Sequence, residues 1–186
     1  EFTVGQRRLI GYGGSESFQS PKHNFSPEVN KLLSDVGVSV VKMKKDFDQN
    51  FYPDQSLSRG VFFDKRNFGE TKIVSGDPGR AVSDDIPADR LNGREIEDFI
   101  NDFPLSDSDK ADLIELHVRP KDYLAGMKVE EKIDWMDKHS YREFLSDKVG
   151  LSKMALLYFQ QRTNDFFAIG IEGISCSDAR VCALPG

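Results

Sequence analysis

The sequence predicts an α+β fold in which a small β-sheet or hairpin is followed by a predominantly helical lobe. Two observations support this prediction. Within the first 75 positions, short apolar and β-branched runs are bounded by turn residues, whereas from about residue 93 onward apolar residues recur at helical spacing. The chain has 186 residues, enough for one domain with a sizeable buried core.

The N-terminal part is predicted to contain a strand and a surface helix. Apolar residues among positions 2–10 indicate the strand. Ser26 followed by Pro27 is typical of a helix N-terminus, and Gly37 is typical of its end. Between them, apolar residues recur at i, i+3, i+4 and i+7, the pattern of a face packed on a core: Val29, Leu32, Leu33 and Val36.

Residues 47–75 are predicted to be rich in β-structure. Two apolar runs, at 61–63 and 71–74, flank a turn-rich stretch at 64–69, so a hairpin is expected there. Residues 75–92 contain glycine, proline and aspartate in a pattern typical of a long loop or linker.

The second half of the chain is predicted to be helical. An apolar stripe at positions 96, 99, 100 and 103 ends at Pro104. Capping patterns, Ser106 with Asp109 and Ser140 with Glu143, predict helices beginning near residues 107 and 141. Further helices are expected through 133–136 and after residue 152, with a glycine at position 150 between the last two.

Composition and charge limit the classes of partner. A net charge of -6 and a pI near 5.1 argue against nucleic acid, which requires a clustered positive surface. No apolar run approaches the ~20 residues of a membrane span. An acidic surface suits cationic ligands. The two cysteines, Cys176 and Cys182, would lie ~9 Å apart on a helix, so free thiols are expected.

A glycine-rich turn follows the first predicted strand. Gly13 and Gly14 would let backbone N–H groups approach a ligand closely. The turn lacks the G-x-G-x-x-G spacing, because Glu16 stands where the third glycine would be, and it lacks the ending of a nucleotide-triphosphate loop. Either a ligand contact or a plain tight turn is consistent with this pattern.

Other chemical signals are few. The three histidines do not have metal-ligand spacing, so no metal site is expected, and no nucleophile turn is present. Catalytic residues are therefore not identified. The 14 phenylalanines suit a packed core, although some could line a pocket. If the protein is an enzyme, an organic cofactor would carry out the reaction that these side chains alone cannot.

Four segments carry a resemblance to a known family. They are residues 8–21 (RLIGYGGSESFQSP), 47–52 (FDQNFY), 57–64 (LSRGVFFD) and 140–145 (SYREFL). The chain resembles the bacterial spermidine dehydrogenases, members of the FAD-dependent amine oxidase superfamily that are often described as twin-arginine translocation pathway signal proteins. The second and third segments are more specific for this family than the glycine turn.

The resemblance implies a domain organisation. Residues 1–20 would be a strand and glycine turn of the FAD domain, and residues 21–186 would be the substrate domain. The dinucleotide fingerprint and the C-terminal FAD-binding motif of the family are not found in this sequence. The resemblance therefore places the chain in the middle of the enzyme, with N- and C-terminal FAD-domain segments as its partners.

The resemblance also implies chemistry and location. A polyamine would lose hydride from the carbon beside an amine, and water would hydrolyse the resulting imine to an aldehyde and a smaller amine. FAD is the implied cofactor, some relatives carry haem, and the implied location is the periplasm. The flavin would lie near Gly13, Gly14, Ser15 and Gln19. Tyr52 and Phe62 would line the polyamine cavity.

Two alternatives remain open at this stage. The chain could be a non-catalytic helical binding or interaction domain whose glycine turn is only structural. A hydrolase that uses Ser15 is disfavoured, because the sequence places no base beside it.

Overall fold

The structure is a computed structural model that describes residues 2–9, 25–46, 48, 50–79, 92–119 and 121–186. The predicted α+β fold is confirmed, with about 50% helix, 10% strand and two small antiparallel sheets. The chain forms two compact units, one of Glu1–Asp48 with Ser83–Asp85 and one of Gln49–Val82 with Ile86–Gly186. The domain boundary expected at residue 20 lies outside the described residues.

In the first unit, the predicted single strand is instead a small hairpin. Strands β1 (Phe2–Val4) and β2 (Arg7–Leu9) pair antiparallel, with Val4 opposite Arg7. Gly5 lies in the connecting turn with a φ of 61°, a conformation that glycine adopts without steric cost. The sequence did not predict this turn, because the apolar residues among positions 2–10 indicate a single strand.

Two helices complete the described part of the first unit, α1 (Pro27–Asp35) and α2 (Val40–Asp46). The ends of α1 are as predicted: the Ser26 hydroxyl accepts a hydrogen bond from the Val29 N–H at 3.3 Å, and Gly37 has a φ of 78°. The expected packing of its apolar face is not found, since no residue of α1 is buried. Leu32 is 61% exposed.

The second unit begins with the predicted hairpin. Helix α3 (Phe51–Asp54) precedes strands β3 (Gly60–Phe63) and β4 (Lys72–Ser75), which pair antiparallel with Val61 opposite Val74. The connection, expected as a loop, contains the short helix α4 (Lys65–Phe68). The Asp64 carboxylate accepts hydrogen bonds from the N–H groups of Arg66 and Asn67, which is why the chain turns into a helix directly after β3.

The rest of the second unit is helical. Its elements in chain order are α5 (Ile96–Asn101), α6 (Asp107–Val118), α7 (Val129–Lys138), α8 (Tyr141–Glu143), a π-helix (Phe144–Val149), α9 (Lys153–Phe159), α10 (Asn164–Phe167) and α11 (Cys176–Val181). The predicted N-caps Ser106, Ser140 and Ser152 each accept a backbone hydrogen bond. Gly150 ends the π-helix with a φ of 87°.

The core of the second unit joins the hairpin to the helices. Phe63 of β3, Phe99 of α5, Leu113 of α6 and Phe159 of α9 are completely buried. Removal of these large apolar side chains from water is the main favourable contribution to folding. The buried phenylalanines therefore have the packing role that the composition suggested.

Aromatic rings form a continuous series through this core. Neighbouring ring centroids lie between 4.8 and 6.5 Å apart, the range of favourable edge and offset contacts. In order, the members are Phe68, Phe63, Phe103, Tyr158, Phe159, Tyr141, Phe144 and Trp135. The series extends from the hairpin to Trp135 of α7.

Both cysteines are free thiols, Cys176 buried and Cys182 half-buried. The Cys176 thiol donates to the Ser140 carbonyl, and burial raises its pKa to about 11. Within the described ranges, none of the helices has the length and apolar character that a bilayer crossing requires.

Candidate functional site

A cleft of about 580 Å³ lies in the second unit, between β3 and residues 157–164 at the end of α9 and the beginning of α10. All four residues of β3 line this cleft, and none of β4 does. The cleft therefore lies on the β3 side of the hairpin. Its volume is within the ordinary range for small-molecule sites.

Aromatic side chains form one part of the cleft wall. Phe62 is 62% exposed, whereas Phe63 and Tyr158 belong to the buried core and present only a small surface. Phe68 of α4 is half-buried at the same wall. Such rings pack against methylene groups and attract cations over their faces.

One end of the cleft carries an anionic side chain, Asp64. Its carboxylate accepts a hydrogen bond from the Asn67 side chain at 2.7 Å, and this bond is the main reason why the pKa of Asp64 lies below its ordinary value. Asp64 is thus a carboxylate at neutral pH, held in a fixed orientation by α4.

The other end contains an ion pair. Arg162 donates a hydrogen bond to the Asp77 carboxylate at 3.2 Å, and its guanidinium carbon lies 4.5 Å from the centre of the Tyr158 ring. Burial raises the pKa of Tyr158 to about 12. Arg59 donates to the Gly79 carbonyl at 3.3 Å. This end therefore carries two guanidinium groups and one carboxylate, whereas the Asp64 end carries a carboxylate.

Amide side chains supply further hydrogen-bonding groups to the cleft: Asn67, Gln160, Gln161 and Asn164. The lining around Asp64 suits an organic cation with an apolar body, because it combines a carboxylate with aromatic rings and a neutral amide, whereas Arg59, Arg162 and Asp77 lie toward the other end. In the described part of the chain, no group of three or more potential metal-ligating side chains comes together.

The structure brings one of the two predicted substrate residues to this cleft. Phe62 lines it, whereas Tyr52 lies on α3, is 64% exposed and is not among the lining residues. The ring of Tyr52 instead contacts Phe51, with centroids 5.2 Å apart. Sequence analysis alone did not separate these two aromatic residues, since both lie in segments that carry the family resemblance.

The predicted flavin-contacting residues Gly13, Gly14, Ser15 and Gln19 lie outside the described residues. They stand between β2 and α1 in the sequence.

Three charged residues of the cleft, Asp64, Asp77 and Arg162, were missed by sequence analysis. Asp64 had a detectable signal, because an aspartate directly before a helix is a typical N-cap. Asp77 and Arg162 had none, since they are 85 positions apart and no spacing rule connects them. The histidines described, His117 and His139, stack on Phe159 and Trp135 and do not line the cleft.

No protein-family model and no curated protein matches this sequence.

Proposed function

We propose that this chain belongs to an FAD-dependent oxidoreductase that oxidises the CH–NH₂ or CH–NH group of polyamines such as spermidine. The observation that carries the proposal is the position of residues 57–64, one of the two segments most specific for the resemblance. Residues 59–64 line the cleft and supply its exposed aromatic side chain, Phe62, and the one of its two carboxylates that is not paired with Arg162, Asp64.

The chemistry of the cleft supports a polyamine as the substrate. A protonated polyamine alternates ammonium groups with methylene spacers. Asp64 would pair with an ammonium group, and Phe62 and Phe68 would pack against the methylenes. Binding energy from a remote ammonium would then orient the reacting carbon.

The reaction itself requires a two-electron acceptor, which FAD would supply when bound. The substrate loses a hydride from the carbon beside the nitrogen and a proton from the nitrogen, and an imine results. Water then adds to the imine and releases an aldehyde and an amine. The chain's own contribution in this proposal is to bind and orient the amine. Haem and a periplasmic location are further proposals that rest on the resemblance alone.

Calorimetric titration of the chain with spermidine, putrescine and butylamine tests the substrate class. We expect affinity to fall in that order, because each loses a charged group, and the differences to shrink as the salt concentration rises. Similar affinities for all three amines would contradict polyamine recognition.

Two variants test the role of the cleft. Asp64→Asn should weaken spermidine binding several-fold while the fold is kept, because asparagine is as good an N-cap as aspartate. Phe62→Ala should also weaken binding, since it removes the exposed ring. The matched control is Asp107→Asn, an exposed aspartate on α6 that does not line the cleft, for which binding should not change.

The proposed contact between FAD and residues Gly13 and Gly14 is tested separately, in an enzyme that contains this chain. Replacing Gly13 or Gly14 with valine should reduce the flavin absorbance of the purified protein, because a β-branched side chain would block close backbone approach. Full flavin occupancy in both variants would mean that the turn is only structural.

A helical interaction domain is the second candidate. It is favoured by the exposed apolar side chains of the first unit, among them Leu32, Val36 and Val41, which are 61%, 64% and 81% exposed. If this candidate is correct, no polyamine should bind to the cleft.

A further inference from the structure

A second cavity, of about 180 Å³, lies in the second unit. Residues 121–124, α7, α11 and residues 184–186 all contribute to its lining, and none of its lining residues also lines the cleft. It is therefore a separate candidate site, which the proposed function does not use. Its wall is formed mainly by apolar side chains: Leu124, Met136, Tyr141, Phe144, Ala179 and Leu184.

The polar side-chain atoms of this wall already have hydrogen-bond partners. The Tyr141 hydroxyl donates to the Pro185 carbonyl at 2.6 Å, and the Cys176 thiol donates to the Ser140 carbonyl at 3.3 Å. In the part of the chain that the structure describes, no buried side-chain nitrogen or oxygen lacks a partner. A water molecule occupies a cavity only where several polar groups can bind it. The interior of this cavity therefore favours an apolar group over water.

The volume of the cavity limits the size of that group. An apolar cavity of about 150 Å³ is large enough to hold benzene. The cavity described here is slightly larger, at about 180 Å³. It can therefore hold an apolar body of about six carbons.

Cationic side chains also line the cavity. They are Lys121, Lys132 and Arg180, whereas Asp122 is the one carboxylate side chain in the lining. Lys132 is paired with Asp122. Among the described residues, neither Lys121 nor Arg180 lies within ion-pair distance of a carboxylate. Both of these side chains are exposed, so the unpaired positive charge lies where the cavity meets the solvent.

This excess of positive charge contrasts with the chain as a whole, whose net charge is -6. Lysine and arginine side chains donate charge-assisted hydrogen bonds to carboxylates. An apolar body attached to a carboxylate would therefore match both the interior of the cavity and its cationic residues. A free amine with the same body would meet like charges at Lys121 and Arg180.

We propose that this cavity binds a small amphipathic carboxylate. Its apolar body, of about six carbons, fills the cavity, and its carboxylate pairs with Lys121 and Arg180 at the surface. The inference goes beyond the function proposed above, because it concerns an anion and a different cavity, and it does not depend on polyamine binding.

A ligand series tests the size of the cavity. Calorimetric titration of the chain with acetate, butyrate, hexanoate and decanoate should show affinity rising about fourfold for each added methylene up to hexanoate. Beyond that length the affinity should level off, because the additional carbons no longer fit inside.

A second series tests the charge of the ligand. Hexanoate should bind more tightly than hexanol, and hexanol more tightly than hexylamine. Only the affinity of hexanoate should fall as the salt concentration rises, because salt screens its interaction with Lys121 and Arg180.

Variants test the two cationic residues. Arg180→Gln and Lys121→Gln should each weaken hexanoate binding about two- to fourfold, the size expected for one exposed ion pair, and should leave hexanol binding unchanged. The matched control is Lys138→Gln. Lys138 is an exposed lysine on α7 that does not line the cavity, so this change should not affect hexanoate binding.

Methyl NMR signals locate the ligand without a variant. On addition of hexanoate, the methyl signals of Leu124, Met136 and Leu184 should move, because these residues line the cavity. The methyl signals of Val61, which lines the cleft, should stay in place.

Four results would overturn the inference. Equal affinities for acetate and hexanoate would indicate a surface ion pair only, and affinity that continued to rise up to decanoate would place the tail on an open surface. Tighter binding of hexylamine than of hexanoate would reverse the charge preference. Movement of the Val61 signals alone would place hexanoate in the cleft. The proposed function is tested separately, since failure of spermidine to bind would contradict that function and leave this inference intact.

Discussion

The guanidinium of Arg162 donates to the carboxylate of Asp77 at 3.2 Å and joins two residues that are 85 positions apart. The side chains are only 28% and 12% exposed. Arg162 follows α9, and Asp77 follows β4, so this pair fixes the distance between the two walls at one end of the cleft.

Replacing Asp77 with asparagine should destabilise the chain by about 1–2 kcal/mol, because a partly buried guanidinium loses its charged partner. Urea unfolding curves measure this change. Asp35→Asn is the matched control: it breaks an ion pair with Lys31 whose side chains are 58% and 74% exposed, and exposed pairs contribute little. Equal effects of the two changes would contradict a structural role for Asp77.

Asp109 should make stability depend on pH in the acid range. Burial raises the pKa of its carboxyl, but hydrogen bonds from Ser152 and Ser106 outweigh burial and hold the pKa below its ordinary value of 3.8. The contribution of Asp109 to stability is therefore complete above that value and is lost as the pH falls through the lower pKa of the folded state. Unfolding curves recorded between pH 7 and pH 2 measure this loss.

The variant that tests this dependence is Asp109→Asn. Its free energy of unfolding should be about 1 kcal/mol lower than that of the parent at pH 7, and the two free energies should become equal in acid. Asp107→Asn, in the same first turn of α6 but exposed, serves as the control. A constant difference at all pH values would mean that the Asp109 charge has no part in stability.

Tyr158 should make stability depend on pH in the alkaline range, with stability falling as the pH rises. Burial raises the pKa of Tyr158 from 10.0 to about 12. Above pH 10 the unfolded chain releases this proton while the folded chain retains it, so the stability that Tyr158 contributes is lost as the pH rises toward 12. The free energy of unfolding of the Tyr158→Phe variant should therefore fall less steeply over this range. Tyr52→Phe, which changes an exposed ring, should follow the parent curve.

Gly150 is predicted to be required for its backbone conformation alone. Its φ is 87°, and a side-chain carbon added there would meet nothing within 4 Å. Gly150→Ala should thus cost about 1 kcal/mol from the left-handed conformation. Gly150→Asn should cost less, because asparagine tolerates this conformation better. If alanine and asparagine were both neutral in thermal unfolding, the strain argument would be wrong.

Local signals explain what could be predicted from the sequence. Ser106, Ser140 and Ser152 begin helices where their cap patterns indicated, because capping depends on residues within one turn. The hairpin around residues 60–75 was predicted for a similar reason, since its strands are neighbours in the chain. The helix inside that hairpin was not predicted, because its four residues are too few to show an apolar periodicity.

Long-range contacts explain what could not be predicted. Phe62 and Tyr52 have similar sequence surroundings, yet only Phe62 lines the cleft. Which of the two residues lines the cleft depends on where residues 157–164 pack. This long-range packing cannot be predicted from sequence periodicity.

The aromatic series that runs from the cleft wall to α7 gives the molecule an intrinsic optical reporter. Trp135 is the only tryptophan, and it ends a series of rings that includes Tyr158 and Tyr141. Tyrosine emission overlaps tryptophan absorption. Excitation energy absorbed by these tyrosines is therefore transferred to Trp135, which emits it as fluorescence. A ligand that alters the surroundings of Tyr158 in the cleft should change the light emitted at the other end of the series, without any added dye.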